Sequence, residues 1–503
     1  MHLAHELLVR IDRAVDTSLT RQLYEQIVQA IEAGRLRPGD PIPSTRFLAE
    51  QIDVSRSVVI KAYEQLQTEG YLEMKRGAGT FIASNAAPID AEPIGHDPNL
   101  DYEMIANVPN LTLVTSSPPV GHAHGGINVP NDFRHGVPAW DMFPMDRWQR
   151  CLVEACRRAT PATLSYGPAE GSYALREEIA RLVRSTRSIP ATPEQIVITT
   201  GATQALDILA RLCVGDGAPV LVEDPTHDVL REIFSYSGGE VIPVPVDEEG
   251  ICVQEIARSI KMHSSHSDVV PKMIYVTPSH QFPVGVTMTL NRRIELLDWA
   301  RKNGSFIIED DYDSEYRYAG QKVSALAGLD TSGRVIYVGS FSKTLFPALR
   351  IGYVILPASL IEPFLSIKWI TDRMTPVLEQ EALTEFIQSG QYAKHISQMG
   401  KLYASRRACL VQALQDEFGD EVRYFGDEAG LHLLIELDTN INAEFIAQKS
   451  FEFGAKIYPA SRYFFHTEPS KATFILGYSN LSEHQIRTGI HQMSCAVSAL
   501  TNK

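Results

Sequence analysis

A lysine flanked by hydroxyl residues follows a β-rich stretch late in the chain. The stretch is Val338-Gly339-Ser340-Phe341-Ser342-Lys343-Thr344, and Arg350 lies seven residues after the lysine. A lysine that forms a Schiff base must be partly desolvated and lie near phosphate-binding groups when the carbonyl compound is phosphorylated. Ser340, Ser342 and Arg350 could supply those groups. The spacing alone fits an ordinary surface lysine equally well, so the rest of the chain must decide.

Two further polar stretches follow predicted strands. Thr200-Gly201-Ala202-Thr203-Gln204 comes directly after a strand predicted at 196–199 and opens a predicted helix. Backbone amides at a helix N-terminus bind phosphate, and Thr203 adds a hydroxyl group. Glu223-Asp224-Pro225-Thr226-His227 follows a strand predicted at 220–223. A planar side chain at that position, such as His227, could stack on a heteroaromatic ring.

An aspartate and a tyrosine follow a third predicted strand, at 306–309. Because side chains alternate along a strand, Asp310 and Tyr312 can share one face, although Asp311 remains possible in place of Asp310. An aspartate beside a pyridine nitrogen keeps that nitrogen protonated and makes the ring an electron sink. A tyrosine hydroxyl can hydrogen-bond the phenolate oxygen of the same ring. Lys343 follows Asp310 by 33 residues.

The elements that must position these residues are apolar strands alternating with helices. Continuous apolar strands in such an alternation indicate a mainly parallel α/β sheet. Ligands of such sheets bind at the carboxyl ends of the strands, where the polar stretches lie. The predicted strands are 196–199, 220–223, 273–276, 306–309 and 335–338, and the predicted helices include 201–212 and 292–302.

The first 84 residues have a different organisation. Apolar periodicity predicts a helix at 22–33, a second helix capped by Ser44 and a third capped by Ser55. A hairpin with its tip at 75–79 follows. Two short helices joined by a tight turn and followed by a β-hairpin describe a winged helix-turn-helix, with a helical dimerisation module as the alternative.

Hydroxyl and basic side chains of this module are placed where a winged helix meets DNA. Helix N-termini that carry Ser and Arg bind phosphates and reach base edges, and a glycine-rich wing can enter the minor groove. The expected DNA contacts are Ser44, Arg46, Ser55, Arg56, Ser57, Lys61, Lys75 and Arg76.

Charge and composition narrow the classes of function. The 503-residue chain carries a net charge of -15, which argues against a general polyanion binder. Residues 1–84 hold 10 Lys and Arg against 11 Asp and Glu, so this near-neutral module can still bind DNA through one face. No signal-peptide pattern and no apolar run of about 18 residues are present, so we expect a cytoplasmic protein without a membrane segment. The six scattered cysteines indicate reduced thiols.

Residues 85–130 are punctuated by prolines and show no periodicity, which predicts an extended, semi-rigid tether. His122 and His124 lie in this segment without a third ligand nearby. We therefore expect no metal site.

The sequence from Arg35 to Ala83 closely resembles GntR-type winged helices, a resemblance that covers roughly residues 11–83. The order of phosphate turn, ring stacker, Asp…Tyr, Ser-x-x-Lys and Arg resembles fold-type I pyridoxal 5′-phosphate (PLP) enzymes of the aspartate aminotransferase kind. Further segments carry the same resemblance: FRHGVPAWDMFPMDRWQR (133–150), YGPAEGSYALREEIA (166–180), TPSHQFPVG (277–285) and EDDYDSEYRY (309–318).

The two modules together resemble the MocR/GabR subfamily of bacterial transcriptional regulators. That resemblance implies a winged helix at 1–84, a linker at 85–130 and an aminotransferase-like domain at 131–503. Within the last of these, it implies a smaller α+β subdomain from about residue 380.

The resemblance also implies roles for single residues. Lys343 would hold PLP as a Schiff base, Asp310 would face its pyridine nitrogen, Tyr312 its ring oxygen, and His227 would stack on the ring. The implied phosphate contacts are Ala202 through its amide, Thr203, Ser340, Arg350 and, from the neighbouring subunit of a homodimer, Tyr166.

Three positions depart from the family pattern. His227 stands where the regulators usually have an aromatic residue such as tyrosine, and Phe282 replaces the asparagine of the enzymes. Ile475 stands where amino-acid-binding relatives place an arginine that pairs with the ligand carboxylate. The alternative is that Arg462 or Lys471 does this work in a shifted alignment.

The resemblance therefore implies a PLP-dependent regulator that binds a double-stranded DNA operator as a homodimer. Its effector would be an amine or amino acid that displaces Lys343 from PLP, or PLP itself. An active aminotransferase with an added DNA-binding module is the alternative, although the missing carboxylate arginine argues against efficient turnover.

Overall fold

The computed structural model describes residues 11–13, 15, 17–32, 36–75, 79–83, 129–215, 217–264, 269–319, 324–465 and 469–501. Most of the predicted linker therefore lies outside the described residues. The chain divides into two compact units, Met1–Pro118 and Pro119–Lys503.

The N-terminal unit is a winged helix-turn-helix, as predicted. Its small antiparallel sheet has the strand order β1-β3-β2. Buried apolar residues such as Leu23, Ile27, Leu48 and Val59 form the core between the helices and this sheet. The elements are α1 (Leu19–Glu32), β1 (Pro41–Ile42), α2 (Thr45–Gln51), α3 (Arg56–Thr68), β2 (Leu72–Lys75) and β3 (Gly79–Ile82).

An eight-stranded sheet forms the centre of the second unit. Its strand order is β5-β12-β11-β10-β9-β6-β7-β8. The central strands β11, β10, β9, β6 and β7 run parallel, as predicted, whereas β12 runs antiparallel between β11 and β5. The strands are β5 (Ile196–Thr199), β6 (Pro219–Asp224), β7 (Glu240–Asp247), β8 (Gly250–Ile251), β9 (Met273–Val276), β10 (Phe306–Asp311), β11 (Val335–Ser340) and β12 (Gly352–Ile355).

Helices cover both faces of this sheet. Ile308, Ile336 and Val338 pack on one face in a cluster that also contains residues of α6, α7 and α11. Ile307 and Tyr337 belong to clusters on the other face, with α4, α5, α8, α9 and α12. The helices are α4 (Met145–Arg158), α5 (Tyr173–Arg187), α6 (Ala202–Cys213), α7 (Asp228–Tyr236), α8 (Ile256–His263), α9 (Leu290–Asn303), α10 (Leu326–Leu329), α11 (Ala358–Thr371) and α12 (Val377–Gln388).

A smaller α+β layer follows in sequence. Its antiparallel sheet has the order β13-β14-β17-β16, and the short strand β15 pairs with β4. Phe133, just after β4, is completely buried in its core. This layer contains β4 (Asn131–Asp132), α13 (Gln391–Phe418), β13 (Val422–Phe425), β14 (His432–Leu437), α14 (Ala443–Glu452), β15 (Ala455–Lys456), β16 (Tyr458–Pro459), β17 (Ala472–Gly477) and α15 (Glu483–Thr501).

All six cysteines are free thiols. Within the described part of the chain, no helix is both long and apolar enough to cross a membrane.

Candidate functional site

Lys343 lies in the turn that follows β11. Its Nζ donates a hydrogen bond to the carbonyl oxygen of Gly136 at 2.8 Å. Gly136 has a φ of +69°, and a Cβ at this position would lie 2.6 Å from Lys343 Nζ, so a side chain there would displace the amine. Burial lowers the pKa of Lys343, and the Asp313 and Asp310 carboxylates oppose that shift. The lysine is therefore partly desolvated, as Schiff-base chemistry requires.

The start of α6 lies beside Arg350, which follows a 3-10 turn at Pro347–Leu349 just before β12. Gly201, with a φ of +80°, precedes the first helical residue, Ala202. The Arg350 side chain donates from Nη2 to Thr200 O at 2.9 Å. A Cβ on Gly352 would lie 3.0 Å from Ala202 N, so only glycine lets β12 approach this turn closely. A guanidinium group beside helix N-terminal amides attracts phosphate.

The other residues predicted to bind phosphate are placed less directly. Ser340 Oγ contacts Ser342 Oγ at 3.1 Å and accepts from Ser342 N at 3.2 Å. Thr203 is exposed on the first turn of α6. Tyr166 is 73% exposed, and the guanidinium carbon of Arg373 lies 5.2 Å from its ring centroid.

Asp310 and Asp311 have separate partners. The Tyr275 hydroxyl donates to Asp310 Oδ2 at 2.7 Å. Burial raises the pKa of Asp310 to about 6 despite this hydrogen bond. Asp311 instead pairs with Arg187, whose Nε lies 2.7 Å from Oδ2, and accepts from the Tyr337 hydroxyl at 2.5 Å. Of the two carboxylates, only that of Asp311 is engaged by a buried cation in the described structure.

Tyr312 lies beside a buried group of titratable residues. Its hydroxyl donates to His280 O at 2.9 Å and lies 3.0 Å from His280 Nδ1. His280 Nδ1 is also 3.0 Å from Asp313 Oδ2. Burial and the nearby His280 and His135 hold the pKa of His432 well below its usual value.

His280, Asp313 and His432 offer ligand atoms within 4.8 Å of one another, which is a group of metal-ligand type. Because His280 already bonds to Asp313 and Tyr312, and His432 Nε2 lies 3.2 Å from Pro283 O, we interpret these side chains as hydrogen-bonded residues and not as metal ligands. His122 and His124, considered in the sequence, lie outside the described residues.

His227 follows β6 by three residues, as predicted, and its side chain caps the N-terminus of α7. Its Nδ1 lies 3.3 Å from Val229 N and 3.0 Å from Asp228 Oδ1. Its ring centroid is 5.2 Å from that of Phe282, with 31° between the ring planes. Phe282 in turn meets Tyr312 edge-on at 6.2 Å. Planar rings therefore line the region between β6 and β10.

Ile475 is completely buried on β17, between Leu434 of β14 and Tyr458 of β16. The two alternatives considered from the sequence are both engaged elsewhere. Arg462 forms an ion pair with Asp228, and Lys471 lies 3.1 Å from Asp438.

Comparison with known proteins matches both units. Residues 19–82 match the family of bacterial regulatory proteins of the gntR type, and residues 141–476 match aminotransferases of class I and II. An uncharacterised HTH-type transcriptional regulator of Bacillus subtilis, YdeL, is 36% identical over 97% of this chain and 98% of its own. The probable rhizopine catabolism regulatory protein MocR of Rhizobium meliloti is 34% identical over 97% of this chain and 96% of its own.

The chain belongs to the MocR-like transcriptional regulators. It is thus a DNA-binding regulator with a GntR-type winged helix and an aminotransferase-like domain. The fold of the second unit of this MocR-like regulator resembles a kynurenine aminotransferase of Pyrococcus horikoshii solved with PMP. The TM-score is 0.69 at 29% identity, covering 74% of this chain and 92% of the other. Enzymes of this fold family depend on PLP.

In the described part of the winged helix of this MocR-like regulator, the side chains predicted to contact DNA are exposed. Ser44 caps α2 as predicted, because its Oγ accepts from Phe47 N at 3.3 Å. Ser55 precedes α3, but its Oγ contacts Ser57 Oγ at 2.8 Å instead of capping the helix. The side chain of Arg56 donates from Nε to Thr45 Oγ1 at 3.3 Å, which links the two helices.

The basic residues of this surface are exposed. Arg46 lies 3.3 Å from Glu50, one turn along α2, and Lys61 is exposed on α3. Lys75 lies 2.9 Å from Glu73 and over the Phe81 ring. Arg76 lies outside the described residues.

The sequence-based reasoning missed several residues around Lys343 in this regulator. Except for His432, each lies in or next to a stretch noted for other reasons, but its role depends on a partner far along the chain. These residues are Gly136, Tyr275, His280, Asp313, Gly352 and His432.

Proposed function

We propose that this regulator holds PLP on Lys343 and that a ligand of the same site alters its binding to an operator. The observation that carries the proposal is the half-buried Lys343 amine, which donates to Gly136 O and follows β11, the parallel neighbour of the strand that carries Asp310. A lysine, a carboxylate and an anion-binding helix N-terminus at one end of a parallel sheet are the groups that PLP needs.

The residues fit the parts of PLP. Its phosphate suits the amides after Gly201 and the guanidinium group of Arg350, with Thr203 and Ser340 nearby. PLP supplies an electron sink when its pyridine nitrogen is protonated. The Asp310 carboxylate can accept a hydrogen bond from the protonated nitrogen, because in the described structure its partner is the uncharged hydroxyl of Tyr275. The Asp311 carboxylate is instead paired with Arg187.

Three further contacts belong to the proposal. The Tyr312 hydroxyl is positioned by His280 and suits the ring oxygen. His227 suits one face of the ring because it already packs beside Phe282. Tyr166, which is largely exposed, suits the phosphate held by a second subunit, so we propose a homodimer.

In this proposal, regulation follows from a difference in the affinity of the ligand for two conformations of the protein. The ligand shifts the equilibrium toward the conformation that it binds more tightly, by an amount set by that difference in affinity. Operator binding then changes if the two arrangements place the winged helices differently. The winged-helix surface around Arg56 supplies the operator contacts in this proposal.

A working aminotransferase is the second candidate, favoured by the retained lysine and aspartate. Productive orientation of an amino acid requires its carboxylate to be held, and the buried Ile475 offers no charge. A multiple-turnover assay with an amine donor and 2-oxoglutarate separates the two. Fast, sustained glutamate formation would overturn the regulator-only account.

Borohydride reduction of the PLP-loaded full-length protein tests the proposed cofactor site. Reduction fixes the cofactor to the lysine that carries it, and peptide mass analysis then identifies that lysine. We expect the added mass on the peptide that contains Lys343, and no added mass in Lys343→Ala. Labelling of any other lysine in the wild-type protein would refute the assignment.

A further inference from the structure

A buried ion pair joins α11 to the residue that follows it. The side chain of Lys368 is completely buried, and its Nζ lies 2.8 Å from Asp372 Oδ1 and 3.0 Å from Asp372 Oδ2. The same Nζ lies 3.3 Å from Thr375 Oγ1. A buried ammonium group has lost its hydration and requires such partners. The lysine therefore fixes the position of the Asp372 carboxylate.

The Asp372 carboxylate also reaches the turn that opens α6. Its Oδ2 accepts a hydrogen bond from Gln204 Nε2 at 2.7 Å and another from Thr200 Oγ1 at 3.3 Å. These two residues lie on either side of Gly201 and Ala202, where the proposed phosphate-binding amides are. One carboxylate thus connects the buried lysine with the phosphate turn.

All the polar groups of Thr200 are held by side chains of other residues. Its amide donates to Gln204 Oε1 at 2.8 Å, and its carbonyl oxygen accepts from Arg350 Nη2 at 2.9 Å. Its hydroxyl donates to Asp372. Thr200 directly precedes Gly201, so these bonds restrict the rotation of the chain where α6 begins. The direction of the amides that follow decides whether they converge on a phosphate.

The ion pair has a role that an apolar pair could not fill. Buried ion pairs are poor stabilisers, because removing two charges from water costs about as much as their attraction provides, and apolar replacements often fold equally well. Here the pair holds an acceptor oxygen against two donors of the turn, Thr200 and Gln204. Stability alone does not require that contact, whereas a fixed turn does.

The lysine also offsets the charge of the aspartate. A lone carboxylate beside the turn would repel the phosphate that the turn is proposed to bind. Because Lys368 Nζ contacts both oxygens of Asp372, the pair as a whole is neutral. The turn is therefore held by a strong acceptor without a net negative charge beside it.

We propose that Lys368 and Asp372 are positioning residues for the cofactor phosphate. Asp372 holds the turn so that the amides after Gly201 converge on the phosphate, and Lys368 holds and neutralises Asp372. The inference rests on the proposed function, because it requires PLP on Lys343. It goes further by assigning two residues that act through the turn and not by contact with the phosphate.

Two double variants isolate the hydrogen-bonding role. Lys368→Met/Asp372→Asn and Lys368→Met/Asp372→Leu both remove the two charges, so neither variant buries an unpaired ion. The first keeps an acceptor oxygen for the turn, whereas the second has a side chain of similar shape without one. The affinities of the cofactor-free full-length proteins for PLP and for pyridoxal are measured by visible absorbance. Only PLP carries the phosphate, so the ratio of the two affinities reports on the turn.

The two double variants should differ in this ratio. We expect the variant with asparagine to keep the ratio within roughly threefold of the wild type. In the variant with leucine the ratio should fall by roughly tenfold or more, because two donors of the turn lose their acceptor. Equal ratios in the two double variants would overturn the hydrogen-bonding role.

Lys368→Met alone tests the neutralising role. It leaves the Asp372 carboxylate without its cation, so the ratio should fall by roughly tenfold, and the added Asp372→Asn should restore it. A ratio that the second substitution does not restore would contradict this role. If Lys368→Met does not fold alone, the comparison of the two double variants decides.

The wild type separates this inference from the proposed function. If neither PLP nor pyridoxal forms a visible band with the wild type, the proposed function fails and this inference fails with it. If the bands form on Lys343 but all variants keep the wild-type ratio, only the assignment of the positioning residues is overturned.

Discussion

Asp310 and Asp311 are consecutive residues of β10 whose carboxylates lie on opposite faces of the sheet. Asp310 accepts from Tyr275, which packs with the cluster on the α6 face. Asp311 accepts from Tyr337, which packs with the cluster on the α5 face. One carboxylate is thus available to a ligand at the strand end, and the other stabilises the fold through Arg187.

Matched substitutions of these two residues should have different effects. Asp310→Asn keeps an acceptor for Tyr275 but removes the charge, so we expect PLP affinity to fall roughly tenfold with little loss of stability. Asp311→Asn removes the partner of a buried arginine and should cost about 3–5 kcal/mol of unfolding free energy. Chemical denaturation and PLP titration measure both quantities. Equal effects of the two variants on PLP affinity would contradict the assignment.

Arg350 should contribute specifically to phosphate binding. Arg350→Ala removes a charge-assisted hydrogen bond, which is worth about 1.5–3 kcal/mol, so PLP affinity should fall by roughly tenfold or more. Pyridoxal, which lacks the phosphate, serves as the matched ligand and should bind the variant and the wild type alike. A similar loss for both ligands would show that Arg350 acts on the fold instead.

Glu223 should make stability depend on pH. Its Oε2 accepts from Thr277 N, from Thr277 Oγ1 and from Gln281, and burial raises the pKa of Glu223 to about 7. The folded state therefore holds the proton more firmly than the unfolded state. The stability that this provides is complete below the unfolded pKa and is lost as pH rises through about 7.

Glu223→Gln keeps a neutral side chain of the same shape. Between pH 5 and pH 7 the wild type should lose about 1–2 kcal/mol more unfolding free energy than the variant does. Denaturant titrations of the cofactor-free protein at the two pH values provide the comparison. Parallel losses in both proteins would argue that Glu223 stays ionised when folded.

Arg56 should contact the operator. Arg56→Ala should weaken operator binding by about 1–3 kcal/mol if the side chain reads a base, because that is the usual worth of a bidentate base contact. Arg21→Ala on α1, where Arg21 pairs with Glu25, serves as the control. Fluorescence anisotropy with a selected operator measures both. Undiminished binding by Arg56→Ala would mean that α3 does not read the DNA.

The local patterns of the sequence predicted the main elements. β5 and β9 occupy the predicted residues 196–199 and 273–276, because both are continuous apolar runs. β10 and β11 continue two residues further than predicted, to Asp311 and Ser340. Their polar ends remain in the sheet because Asp310 pairs in register with Val338.

Long-range contacts of the site could not be predicted in this way. Gly136 lies 207 residues before Lys343, and Tyr275 lies 35 residues before Asp310. Periodicity reports which face of an element is apolar, but it does not report which loop meets which strand end. The antiparallel placement of β12 between β5 and β11 brings Gly352 against Ala202, and local periodicity does not predict this placement either.

The most direct test of the account is the response of operator binding to an amine, measured with and without Lys343. Operator affinity of the PLP-loaded wild type, Lys343→Ala and the surface control Lys302→Ala is measured by anisotropy with and without phenethylamine. We expect a shift of roughly fivefold or more in the wild type and in Lys302→Ala. Lys343→Ala should bind the operator but show no shift. An equal shift in Lys343→Ala would contradict the central claim, because ligand sensing would not then depend on Lys343.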